Sequence, residues 1–133
     1  ISPAAHNLVG AVELIGAVHV KEDRTLADET FHTAYWIGRF ADRLASRMPT
    51  VGVKRDAAKR HLGVTPPACK AAGMGADTLV RARLLERYGV PENAGKGERG
   101  CLDGCTTHQW ASLAVACAVR DTGVSKWTSF PKL

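Results

Sequence analysis

No apolar run in this sequence is long enough to cross a bilayer as a helix. The most apolar stretch, Trp110 to Val119 (WASLAVACAV), contains Ser112 as its single polar residue, and at about 1.5 Å per residue it spans roughly 15 Å against ~30 Å of hydrocarbon. Internal repeats and low-complexity tracts are also missing, which excludes solenoid and disordered architectures. No Gly-x-Ser-x-Gly elbow picks out a nucleophile. The Gly95-Lys96-Gly97 tripeptide has neither the preceding strand nor the following Lys-Ser/Thr of a phosphate loop. Nothing in the motifs demands an enzyme, a cofactor or a metal. The first residues lack the basic region and small-residue cleavage site of a signal peptide, so Ile1 is expected to be a processed end if the protein is secreted.

What is present points to helices. The chain has 133 residues, 23% charged and 45% hydrophobic, a size and balance that suit one folded domain with a core of its own. A segment apolar on every side gains nothing from water. Residues 107–121 are therefore expected to form a central helix inside a shell of others. Ser2 and Pro3 read as an N-cap and first turn, and the run from Leu8 to Val20, broken only by Glu13 and His19, as a largely buried helix of about eighteen residues. The turn Lys21–Arg24 is charged. Thr25 and Asp28 resemble a capping box opening a helix to Met48, where Pro49 stops it. Leu26, Thr33, Ile37, Phe40, Leu44 and Met48 supply its core stripe at spacings of three and four, widened by Phe31, Tyr35 and Trp36.

Shorter helices follow at Lys54–Leu62, ended by Gly63, and after Thr65-Pro66, interrupted by Gly73 and Gly75. A further helix over Asp77–Tyr88 turns Leu79, Val80, Leu84, Leu85 and Tyr88 inward and stops at Gly89 and Pro91. The loop Glu92–Gly100 has only Ala94 as an anchor. Thr106 or Thr107 caps the last helix, Gly123 ends it, and Trp127 and Phe130 in the tail are expected to dock on the bundle. No strand signal competes with these patterns. The expected fold is all-α, a single domain over residues 1–133 built as a bundle of about five helices around the buried helix 107–121.

The formal net charge is +5, and it is concentrated. Arg39, Arg43, Arg47, Lys54, Arg55, Lys59 and Arg60 face only Asp42 and Asp56 within the same segment, a local balance equal to that of the whole chain. Arg39, Arg43 and Arg47 recur every four residues and should stand in a row on the helix, near its C-terminus where the dipole favours cations. Such a surface attracts anionic partners: phospholipid head groups, cell-wall polymers or nucleic acid. The connection through Pro49 and Gly52 is looser than that of a helix-turn-helix.

Four cysteines, an even number in a short chain, suggest two disulfides and an oxidising compartment. Cys105 and Cys117 would lie about 18 Å apart along one helix, beyond the reach of a disulfide, and Cys101 is hardly nearer to Cys117. The pairs left are Cys69–Cys117 and Cys101–Cys105. In GCLDGCTTHQW, Cys101, Cys105 and His108, with Cys69 as a fourth ligand, have spacings loosely like those of zinc sites. Cys105-x-x-His108 after a glycine-rich loop resembles the histidine region of phospholipases A2. That family's Asp after the histidine is Gln109 here, which removes a calcium ligand. Glu13 and His6, one or two turns apart on the expected first helix, form a possible acid and base pair.

Architecture and charge together resemble secreted cytotoxic proteins. The dibasic pairs Lys54-Arg55 and Lys59-Arg60 are similar to the processing sites of fungal killer-toxin precursors. The resemblance implies a secreted, cationic, disulfide-bonded toxin-like or antifungal protein acting at a target cell envelope. Its partner would be the anionic surface, the membrane or an envelope receptor, reached through the seven basic residues named above. The alternative is an intracellular helical module binding nucleic acid or protein. A third reading is a hydrolase with a site near His108.

Overall fold

The structure, a computed structural model, describes residues 8–14, 24–91 and 93–131. They form two compact units, one of Ile1–Arg55 with Val119–Leu133 and one of Asp56–Ala118.

The first unit contains a sheet, where an all-α fold was expected. Strand β1 (Gly10–Leu14) is followed by helix α1 (Arg24–Ala45) and strand β2 (Thr50–Lys54), and strand β3 (Thr128–Phe130) returns from the tail. The strand order is β1-β2-β3; β1 runs parallel to β2, with Gly10 opposite Thr50 and Leu14 opposite Lys54. β3 is antiparallel to β2, with Phe130 opposite Thr50. Parallel neighbours require a long crossover, and α1 supplies it.

Helix α1 packs against all three strands. Residues Ile37, Ala41, Leu44 and Ala45 turn inward, with Ala41 and Ala45 buried. Close approach depends on glycine: a Cβ on Gly10 would lie 2.7 Å from Thr50 Oγ1 and 3.4 Å from Leu44 Cβ, and one on Gly52 would meet the Leu14 side chain at 2.7 Å. The space over β2 is thus filled from the neighbouring strand. Val51 and Val53 are buried, and the buried Thr50 hydroxyl donates to the Met48 carbonyl at 3.0 Å, so the central strand carries no unsatisfied side chain.

Several expectations are corrected here. Residues 10–14 are a strand, not the middle of a helix, because β-branched and small residues in GAVEL pair with Thr50–Lys54. The remainder of the helix proposed over 2–20, with His6, His19 and residues 15–20, lies outside the described residues, as do Lys21–Asp23 of the charged turn. The side chains of Thr25 and Leu26 are also outside them. α1 stops at Ala45, after which Arg47 and Met48 both donate to the Leu44 carbonyl at 2.9 Å in a turn. Phe31, Tyr35, Trp36 and Phe40, assigned to the core, are exposed.

The second unit is helical. α2 (Arg55–His61) carries over from the first unit, and α3 (Pro66–Ala72) begins at Thr65, whose side chain accepts from Ala68 N at 3.4 Å, and ends at Gly73 with φ of 65°. Left-handed geometry there costs glycine nothing. α4 (Ala76–Arg87) buries Leu79, Val80, Leu84 and Leu85, as their spacing predicts, whereas Tyr88 is exposed. The loop after it buries Ala94 and closes on a short 3-10 turn, Gly100–Leu102.

α5 (Thr107–Thr122) matches the expected boundaries. Gln109 Oε1 accepts from Thr106 N at 2.7 Å and from the Thr106 hydroxyl at 3.2 Å, one half of a capping box at the helix start. Trp110, Ala114, Val115, Cys117, Ala118 and Val119 are buried. The helix is not enclosed on every side, however: Ser112, Ala116 and Arg120 are exposed at intervals of four. Small side chains made this stripe look apolar, yet Ala and Ser tolerate water. Trp127 is half-buried with its Nε1 donating to Thr122 Oγ1 at 2.8 Å, and Phe130 is half-buried in β3.

Truncating a side chain inside the helical unit should cost far more than truncating the aromatic side of α1. Leu84→Ala is expected to lower stability by about 2–5 kcal/mol in urea denaturation, and Phe31→Ala to change it by no more than about 0.5 kcal/mol. Equal losses would contradict the burial described.

Candidate functional site

At about 100° per residue, the inward row of α1 leaves Phe31, Tyr35, Trp36, Arg39, Phe40 and Arg43 spread across the opposite half of the helix. The four rings retain much of their surface: Phe31 is 74% exposed, Phe40 61%, Tyr35 56% and Trp36 50%. Tyr35, Trp36 and Phe40, joined by ring contacts, form an exposed aromatic cluster of the kind that marks a binding surface, and Phe31 lies about half a turn round the helix from Phe40.

Arg39 lies among them. Its guanidinium carbon is 5.8 Å from the Tyr35 ring centroid and 5.6 Å from that of Trp36, and its Nη1 donates to Tyr35 Oη at 3.1 Å. Exposed cation–π contacts contribute about 0.5–1 kcal/mol each, enough to bias the side chain towards this pose, and the Tyr35 bond uses only one of its five N–H donors. Tyr35 and Trp36 meet edge to face, 5.7 Å apart at 78°, and Trp36 and Phe40 lie 6.0 Å apart at 34°.

Arg43, one turn beyond Arg39, is exposed. Among the described residues no carboxylate lies within ion-pair distance of Arg39, Arg43 or Arg47, although Asp42 shares this half of the helix.

The other basic residues are placed differently. Arg47 sits in the turn after α1, so the expected row of three is two helical positions and a turn position. Lys54 ends β2, exposed. Arg55 Nε is 3.9 Å from Glu13 Oε1. In the second unit Lys59 Nζ is 3.1 Å from Asp77 Oδ1, and Arg60 Nη2 is 3.5 Å from Asp56 Oδ2. Local carboxylates therefore offset Arg55, Lys59 and Arg60, whereas among the described residues Arg39, Arg43, Arg47 and Lys54 have no ion pair; α1 itself also carries Asp28, Glu29 and Asp42.

Neither expected disulfide is present in the structure, in which Cys69, Cys101, Cys105 and Cys117 are all unpaired. Cys117 is buried on α5 with its Sγ 3.6 Å from Tyr88 Oη, whereas Cys69 helps to line a cleft of about 470 Å³ with Val64, Pro66 and Ala76. Cys101 is exposed and Cys105 half-buried. Hydrogen bonds hold the turn just before Cys105, with Asp103 Oδ1 accepting from Gly97 N at 3.0 Å and Arg99 N at 3.2 Å.

Among the described residues no group of three His, Cys, Asp or Glu side chains is placed to hold a metal, so Cys69, Cys101, Cys105 and His108 do not assemble as a zinc site. His108 is exposed in the first turn of α5, its carbonyl accepting from Ser112 Oγ at 3.1 Å, and Gln109 serves as a helix cap. Glu13 faces Arg55, while His6, its proposed partner, lies outside the described residues. Among the described residues no helix is long and apolar enough to cross a membrane.

The aromatic face was missed because large rings at helical spacing were taken for core. A signal was available in Ile37, Ala41 and Ala45, a row of mostly small residues at intervals of four that marks where a helix can press close to a sheet. No family model, curated protein or solved structure matches the chain.

The thiols give a direct check on the site as described. Titration under denaturing, non-reducing conditions should find four free thiols, and in the native protein Cys101 should react first and Cys117 only on unfolding. Fewer than four in the unfolded chain would restore a disulfide.

Proposed function

We propose that this protein binds nucleic acid through the outward face of α1. The observation that carries this reading is Arg39 set against the exposed rings of Tyr35 and Trp36, with Arg43 one turn away and, among the described residues, no carboxylate in ion-pair distance of either. Nucleic acid alternates anionic groups with flat rings. Guanidinium groups bind phosphate through paired N–H donors, and aromatic side chains offer platforms for bases. The overall charge of +5 favours encounter with a polyanion.

A lipid surface fits α1 less well. A helix lying in a membrane interface separates its cationic and apolar faces, whereas α1 mixes arginines and aromatics on one face and has its other against the sheet. The envelope-directed toxin reading also drew on an enclosed apolar helix and two disulfides, and neither is available to support it.

The test is binding of a labelled oligonucleotide by fluorescence anisotropy between about 50 and about 200 mM salt. The expected result is a linear fall of log K with log salt, a slope made shallower by about 0.7–1 in Arg43→Ala, and weaker binding in Arg39→Ala. Absence of binding at the lowest salt contradicts the proposal. Binding to anionic phospholipid vesicles with none to oligonucleotide would return the argument to a cell envelope.

A further inference from the structure

We infer that the α1 face selects unpaired bases, so that the preferred ligand is a single-stranded segment; this rests on the nucleic-acid reading above and narrows it. Spacing supplies the argument. Trp36 and Phe40 are 6.0 Å apart between centroids, close to the rise of one helical turn. Consecutive nucleotides of a duplex strand advance by about 3.4 Å. Bases that seat on both rings must therefore be drawn apart, which an unpaired strand permits and a duplex resists.

Ring exposure points the same way. In a duplex the base faces are covered by their neighbours, so Phe31, Phe40 and Trp36, at 50–74% exposure, would meet sugar and phosphate and remain in water. Against a single strand the same rings bury their faces on bases. Stacking of this kind tolerates any sequence, because every base has a π-face.

Division of labour follows from the contacts. Arg39 spends one donor on Tyr35 Oη and has the rest of its fork for a phosphate. Arg43 adds a second cation one turn on. Trp36 and Phe40, which with Arg43 follow the spacing of four and then three, present the stacking surface on the same side as the phosphate contacts. Tyr35 holds Arg39 and stands edge-on to Trp36, so it positions both.

The experiment compares one mixed-sequence oligonucleotide, single-stranded and annealed to its complement, binding to the full chain at one low salt concentration. The single strand is expected to bind at least about fivefold tighter. Trp36→Ala is expected to weaken single-strand binding by about 5- to 100-fold and duplex binding by less than about twofold, while Trp36→Phe keeps most of the preference. Arg43→Ala should weaken both ligands alike. Phe40→Ala repeats the reading if Trp36→Ala fails to retain the native circular dichroism spectrum. Equal affinity for the two ligands, or a Trp36→Ala loss shared equally between them, overturns base selection and leaves nucleic-acid binding standing. Failure to bind either ligand removes both.

Discussion

Ile37, Ala41, Leu44 and Ala45 hold α1 against three strands, and that contact decides what the rest of the helix can do. The buried alanines and Gly10 bring helix and sheet close, and the apolar requirement of the interface is met by a narrow row. The wide rings of Phe31, Tyr35, Trp36 and Phe40 are then left for the outside. A helix with large aromatics inward and alanines outward would have to sit further from the sheet, with a hole opened beside Gly10.

Charge placement reinforces the division. Arg55, Lys59 and Arg60 each have a carboxylate nearby, at separations of 3.1–3.9 Å. Such exposed pairs contribute little to stability, but they neutralise the local field. Arg39 and Arg43 are differently matched, Arg39 with ring faces and a phenol hydroxyl. A guanidinium in that setting keeps its charge available to an incoming anion, and the rings around it restrict the rotamers it must give up on binding.

Helices of the second unit were largely legible in the sequence because their punctuation is local. Thr65-Pro66, Gly73, Gly89 and the Thr106–Gln109 pair act within a turn of chain, and Leu79, Val80, Leu84 and Leu85 repeat at helical spacing. Strands were not legible, since GAVEL and TVGVK are five residues each and owe their conformation to one another across a crossover of thirty-five residues, 15 to 49. Local pattern carries no trace of such pairing. Although Arg47 falls in the turn after the helix, the positions of Arg39 and Arg43 on one row could be read from spacing alone. Which side of α1 faces water could not, because burial there is set by the sheet, and the sheet had not been foreseen. Likewise, counting cysteines said nothing about the hydrogen bonds that Asp103 accepts across residues 97–103.

Ultraviolet cross-linking of the intact protein to a single-stranded oligonucleotide, with adducts located by mass spectrometry, addresses the central claim most directly. Adducts on the peptide spanning Phe31 to Phe40, at Tyr35, Trp36 or Phe40, are the predicted result. Adducts confined to residues 56–118, with the α1 peptide unmodified, would contradict it.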